Sequence, residues 1–212
     1  MISHALTIVI NELNKHLADT YESTVPQAGL GNLAEAFATS TNNNGISRDM
    51  LYLSLVNVKE EKALKNIPNY VCNDTTLKVT YENSPVFLNF QILMTATHTN
   101  YINALSVLSR AIRFFQFRNV FTQDNVAPDS LTTSSAPIHQ LDQLESFKLI
   151  FDLYSPTMEE VNHLWGTLGG KQYPFVLYML RMLDLKFKAV QSESGLITEV
   201  ITDFRHKKMA AN

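Results

Sequence analysis

Asn162-His163-Leu164-Trp165-Gly166-Thr167-Leu168-Gly169-Gly170-Lys171-Gln172-Tyr173-Pro174-Phe175-Val176-Leu177-Tyr178 packs a helix end, a turn and the start of a strand into one short stretch. Trp165 is the only tryptophan of the chain. It lies three residues from Leu168, on one face of a helix. Gly169 and Gly170 then supply residues that adopt positive φ at little cost past a helix end. Pro174 prevents a return to helix, and Phe175 to Val190 continues with β-type residues. No reacting group stands out in this stretch. Trp165, Gly169, Gly170 and Pro174 read as a packing corner of a fold that mixes helix and sheet.

Working outward, Phe175 to Val190 reads as one long strand. Its second half separates into Leu183, Leu185 and Phe187 against Asp184, Lys186 and Lys188, so one face leaves the core. Upstream, Ser155 to Glu160 opens the helix that ends at Trp165, and Thr157 with Glu160 has the spacing of a capping box. Phe147 to Tyr154 alternates as a strand. Val86 to Met94 does so most cleanly, with Val86, Leu88, Phe90, Ile92 and Met94 on one side. Met50 to Val58 is apolar on both faces, as a central strand would be, and Leu77 to Tyr81 is a short β-rich piece.

Two longer helices complete the pattern. Ile2, Leu6, Val9, Leu13 and Leu17 recur at helical spacing, and Asn11, Glu12, Asn14, Lys15 and Asp19 fill the other side. Thr99 or Asn100 caps a second helix running to about Arg118. Its stripe is read as Ile102, Leu105, Leu108, Ile112 and Phe115. Ser23 to Asp49 reads as loop, with a short helical turn in Leu30 to Phe37 and a tight turn at Asn44-Gly45. Leu64 to Asn73 is a connection, and Gln123 to Gln143 is a loop or mobile excursion. The fold class expected is α/β (α+β): a mixed, mostly antiparallel sheet with packed helices, in a single domain over residues 1–190. A C-terminal arm, 191–212, follows.

Composition narrows the functional classes. Apolar residues make up 45 % of the chain and charged residues only 17 %. A low charge fraction suggests a surface partly covered by other protein. A net charge of −3 argues against non-specific nucleic-acid binding, which needs a basic face to neutralise phosphates. The single Cys72 excludes an intramolecular disulfide and is expected to be a bland, partly buried thiol. Met1 to Leu30 shows no basic-then-apolar leader, and no window is long and apolar enough to span a membrane.

The sequence offers no catalytic, cofactor-binding or metal-binding residue, and no cofactor is expected. Gly29-Leu30-Gly31 lacks the spacing of a phosphate loop, and Gly169-Gly170 follows a helix instead of opening one. His4, His16, His98, His139, His163 and His206 show no metal-ligand spacing. Glu60-Glu61 ends a strand, and Glu159-Glu160 sits where negative charge favours a helix start. Phe114-Phe115 reads as packing, not as a platform for bases.

Four stretches in order carry a resemblance. They are the helix Ile2 to Leu17; Leu53-Ser54-Leu55-Val56-Asn57-Val58-Lys59-Glu60-Glu61; Tyr101 to Thr122 with Phe114-Phe115-Gln116 and Val120-Phe121-Thr122; and Leu164 to Pro174. Together they resemble the tail-terminator, or cap, proteins of phage-tail-like extracellular contractile injection systems. The resemblance implies a homo-hexameric ring that closes the distal end of the inner tube, stops its growth and holds the last sheath layer. It implies sheath and inner-tube subunits as partners and no catalysis. It further implies assembly in the bacterial cytoplasm, then residence in a free extracellular or membrane-anchored particle, with no direct membrane insertion. A baseplate or tube-adaptor ring component is the alternative in the same particle. A small-molecule-binding domain with a pocket beside Trp165 is the alternative from another class.

The arm adds a further expectation. Leu196, Ile197, Val200, Ile201 and Phe204 lie in a β-prone run after a flexible Ser192-to-Gly195 hinge. With Lys186 and Lys188 they are the candidate protein interface. The run would add a strand to an open sheet edge on a sheath subunit, or else form a strand or helix on its own core.

Overall fold

The computed structural model describes residues 1–22, 25, 27–35, 46–64, 68–73, 75–76, 78–132, 137–144, 146–185, 192–195 and 199–202. Helices α1 (Ile2–Tyr21), α2 (Tyr101–Phe117), α3 (Pro128–Leu131) and α4 (Met158–Thr167) alternate with strands in an α+β arrangement. In chain order the strands are β1 (Ala28–Leu30), β2 (Leu51–Glu60), β3 (Tyr70–Asn73), β4 (Lys78–Tyr81), β5 (Val86–Ala96), β6 (Val120–Thr122), β7 (Lys148–Tyr154), β8 (Phe175–Leu185) and β9 (Ser192–Gly195). The chain divides into two compact units, Met1–Leu64 with Val86–Leu185, and Lys65–Pro85 with Lys186–Asn212.

The larger unit is built on a six-stranded sheet of order β1-β2-β5-β8-β7-β6. Only the β1–β2 pair is parallel; the others are antiparallel. Alternation assigns the faces. Leu53, Phe90, Ile92, Met94, Phe151, Tyr178 and Leu180 share one face and are buried with α1 and α2. Between Leu88 and Phe90 the β8 partner jumps from Leu183 to Leu180, so β8 carries one extra residue there. That bulge returns Leu183, 1 % exposed, to the core face, which strict alternation from Leu180 would deny it. Phe115 closes the core, its ring 4.9 Å from Phe151 and 5.0 Å from Tyr178.

α2 corrects the sequence reading of its stripe. The buried residues are Ala104, Val107, Leu108, Ala111, Phe114 and Phe115. Ile102 and Leu105, read as core, are 72 % and 43 % exposed. The helix carries two apolar stripes, and the one containing two alanines faces the sheet because small side chains let the backbone approach closely. Asn100 caps it, its side chain accepting from the Ile102 N–H at 2.9 Å, as expected.

The apolar stripe of α1 is buried as expected, and part of its polar side is enclosed as well, while Lys15 and Asp19 stay exposed. Glu12 is only 5 % exposed. Its Oε1 accepts the Ala127 N–H and its Oε2 accepts from Arg118 at 2.5 Å. Asn14 donates to the Ala28 carbonyl and accepts the N–H groups of Gln27 and Ala28. Asn11 donates to the Ser130 carbonyl. His4, also buried, accepts the Leu144 N–H on Nδ1 and faces the Leu131 carbonyl with Nε2. These side chains satisfy the backbone of two irregular segments that would otherwise have no ladder to join. The stretch read as a mobile excursion from Gln123 is therefore pinned along its described part, and it contains α3 and a 3₁₀ turn at Gln140–Asp142.

The smaller unit holds a three-stranded antiparallel sheet of order β3-β4-β9. β3 lies where a plain connection was expected. β9 lies where a hinge was expected, its residues Ser192 to Gly195 paired with Tyr81 to Lys78. Cys72, expected to be partly buried, is exposed on β3. Within Leu30 to Phe37 the described part forms a turn at Asn32 to Glu35. The Asn44-Gly45 turn lies outside the described residues.

Candidate assembly surfaces

The Trp165 corner forms as its sequence dictates. Thr157 and Glu160 make a complete capping box at the start of α4. Glu160 also accepts the Tyr154 hydroxyl at 2.9 Å. The Thr157 backbone bond, followed by the Tyr154 hydroxyl, holds its carboxyl below the usual range. At the other end Gly169 (φ 92°) and Gly170 (φ 77°) take the left-handed conformation. The Gly170 N–H closes back on the Trp165 carbonyl at 2.7 Å, the wide loop of a Schellman-type stop. The Trp165 ring is 5 % exposed and packs edge-on to Phe175 at 5.3 Å, with Tyr173 at 6.2 Å. The Pro174 carbonyl accepts the Ala96 N–H at 3.0 Å, tying the corner to the end of β5.

Phe175 points to the sheet face opposite Tyr178, as does Tyr154, which meets Glu160. α4 therefore lies across the sheet from α1 and α2. Tyr52, Leu93, Thr95 and Leu177 are buried on that second face. Trp165 Nε1 and Thr95 Oγ1 are buried there without a hydrogen-bond partner. Farther along, the same face turns polar and open. Asn57 donates to Gln91 at 3.0 Å, and Arg181 pairs with Asp152 at 3.0 Å, both charges about half exposed.

Among the described residues, three apolar surfaces are left open. The first is the edge of β2. β1 pairs only with Leu51 to Leu53, so Leu55, Val56 and Val58, each at least 41 % exposed, continue along an edge with no further ladder partner among the described strands. An extra residue at Val56, beside the Leu55–Asn57 register shift, kinks that edge. The second is the three-stranded sheet, where Tyr70 and Val71 are about half exposed.

The third is the outer stripe of α2. Ile102, Leu105, Ser106 and Ser109 floor a shallow groove of about 410 Å³, closed by Tyr21, Arg110 and Arg113. The Arg110 guanidinium stacks 4.4 Å over the Tyr21 ring. The sequence carried a signal for this surface: α2 has more bulky apolar positions than one buried stripe accommodates.

Among the residues predicted for the arm interface, Val200 and Ile201 are 79 % and 84 % exposed. Leu196, Ile197, Phe204, Lys186 and Lys188 lie outside the described residues. Among the described residues no group of three His, Cys, Asp or Glu is placed to hold a metal ion, and no helix is long and apolar enough to cross a membrane.

The Pvc16 N-terminal domain family matches residues 4–199. The chain belongs to this family. Its fold is similar to the sheath/tube terminator of an extracellular contractile injection system, PVC, in the extended state. That alignment covers 76 % of this chain and 52 % of the terminator, with a TM-score of 0.51 and 12 % identity. The tube-terminating cap of the anti-feeding prophage aligns over 92 % of this chain and 60 % of its own, at 15 % identity and a TM-score of 0.48. The chain thus spans less than two thirds of either protein's length. No curated protein matches it.

Proposed function

We propose that this chain is a structural cap, or tail terminator, of a contractile injection particle. It closes the distal end of tube and sheath and so limits their length. The observation that carries this reading is the family match over residues 4–199, nearly the whole chain. The open surfaces agree with it, since a protein that works by assembly needs apolar faces left over after its own core is closed.

Its partners are other copies of itself in a homo-hexameric ring, together with sheath and inner-tube subunits. A ring needs two unlike patches on each copy, joined by a rotation that closes. Nucleic acid is not a partner, in keeping with the net charge of −3 and the electrostatics of phosphate binding. The chain does no catalysis and holds no cofactor. It assembles in the bacterial cytoplasm and then belongs to a free or membrane-anchored particle, without inserting into a membrane itself.

Assembling tube and sheath with and without the full chain tests this. With the chain present, particle lengths should narrow and a gold-labelled copy should appear at the end opposite the baseplate. Unchanged lengths, or label at the baseplate end, would overturn the cap reading; the second result would favour a baseplate adaptor.

A further inference from the structure

We infer that the α2 groove of one copy receives residues 199–203 of the next copy, linking neighbours around the ring. This rests on the ring reading above and adds the surface that closes it. The groove asks for an apolar side chain with an acid beside it. Ile102 and Leu105 are exposed on its floor, while Arg110 and Arg113 stand one helical turn apart at one end. The chain itself contains a segment of that chemistry. Val200 and Ile201 are 79 % and 84 % exposed, and Glu199 and Asp203 bracket them in sequence.

Extended geometry makes the match sharper. Successive side chains of an extended segment point to opposite sides. Bound in extended form, Ile201 shares a side with Glu199, and Val200 shares the other with Thr202. Seated face-down, Ile201 covers Ile102 and Leu105 while one of the two flanking carboxylates reaches the arginine pair. Adjacent positions on one side lie about 6.6 Å apart, and Leu105 to Arg110 covers about 7.5 Å of helix axis. The two spacings are compatible. An arginine fork donating to a carboxylate gives orientation as well as attraction. The contact joins two unlike patches, as a closing ring requires.

Charge exchange in the full chain, read by sedimentation at several concentrations with helical content as the control for folding, tests the inference. Arg110→Glu with Arg113→Glu should weaken association by about tenfold or more, and Glu199→Lys with Asp203→Lys should do the same. The chain carrying all four changes should associate again. Arg113→Glu alone leaves the Arg110–Tyr21 stacking untouched and should give a smaller loss in the same direction. Ile201→Glu should weaken association more than Val200→Glu.

If the wild-type chain associates and both charge sets leave it unchanged, the groove contact is wrong while the ring stands. Losses in both sets that the four-fold variant does not restore also overturn it. A wild-type chain that stays monomeric alone and on tube ends overturns the ring reading, and this inference with it.

Discussion

The two sheets of this molecule differ in how much of themselves they bury. In the six-stranded sheet, Phe90, Ile92, Leu93, Met94 and Leu180 are fully enclosed, and four aromatic rings converge on Phe115. In the three-stranded sheet no described residue is buried, and β3 is exposed along its length. A short sheet with no covered apolar face has little to offset the entropy of ordering it. The first sheet closes its core within one chain; the second, like the β2 edge of the first and the outer face of α2, leaves apolar side chains exposed. The core fixes the shape of the chain by itself, and the exposed apolar surfaces are the ones that the proposed assembly would cover.

The comparison can be broken by substitution. Phe115→Ala should cost about 3–5 kcal/mol in a urea titration, whereas Val71→Ala on β3 should stay within about 0.5 kcal/mol. Equal losses would mean that the small sheet belongs to the cooperative core after all. The next largest effect falls on α1. Glu12→Ala leaves the mostly buried Arg118 without its carboxylate and the Ala127 N–H without an acceptor, a loss of about 3 kcal/mol. Asn14→Ala removes three hydrogen bonds to the Gln27–Ala28 backbone and should cost about 2 kcal/mol. In hydrogen-exchange measurements the Ala28 amide should lose protection in this variant, while β8 amides keep theirs beyond the general loss of stability. Thr157→Ala opens the capping box and should cost about 1 kcal/mol, read as a drop in melting temperature.

Alkaline titration gives a finer test of the enclosed sheet. Burial pushes the Tyr178 hydroxyl from an ordinary value of 10.0 up to about 12. A raised value in the folded chain means that its stabilising contribution is present in full below pH 10 and is lost as the pH climbs toward 12. Tyr178→Phe should flatten the stability profile across that window. An unchanged profile would show that Tyr178 is not enclosed.

The same contrast explains what could be read from sequence. The strands β5, β7 and β8, the α2 start at Asn100 and the Thr157 capping box were legible because each has a local period or a local cap. β1 was not legible. It is three residues long, contains Gly29, and is held by Asn14, a residue fourteen positions away from Ala28. In α2, Leu108, Ile112 and Phe115 pack on the core as the stripe implied, but Ile102 and Leu105 do not: they outweigh Ala104 and Ala111 on any hydrophobicity scale, while close packing on a sheet favours the alanines. The backbone-pairing roles of Glu12 and Asn14 on α1 were not legible, because sequence shows a side chain's chemistry but not the loop that will need it. Of the arm expected as an interface, Val200 and Ile201 are exposed. The α2 groove became visible only when the buried stripe had been located.

Amide hydrogen exchange on the free chain is the most direct test of the division between an enclosed and an exposed sheet. The account predicts that the amides of Phe90 to Met94 and Leu177 to Leu180 exchange only through global unfolding. Those of Tyr70 to Asn73 and Lys78 to Tyr81 should exchange at least about a hundredfold faster than that limit. Equal protection in both sheets of the free chain would contradict it.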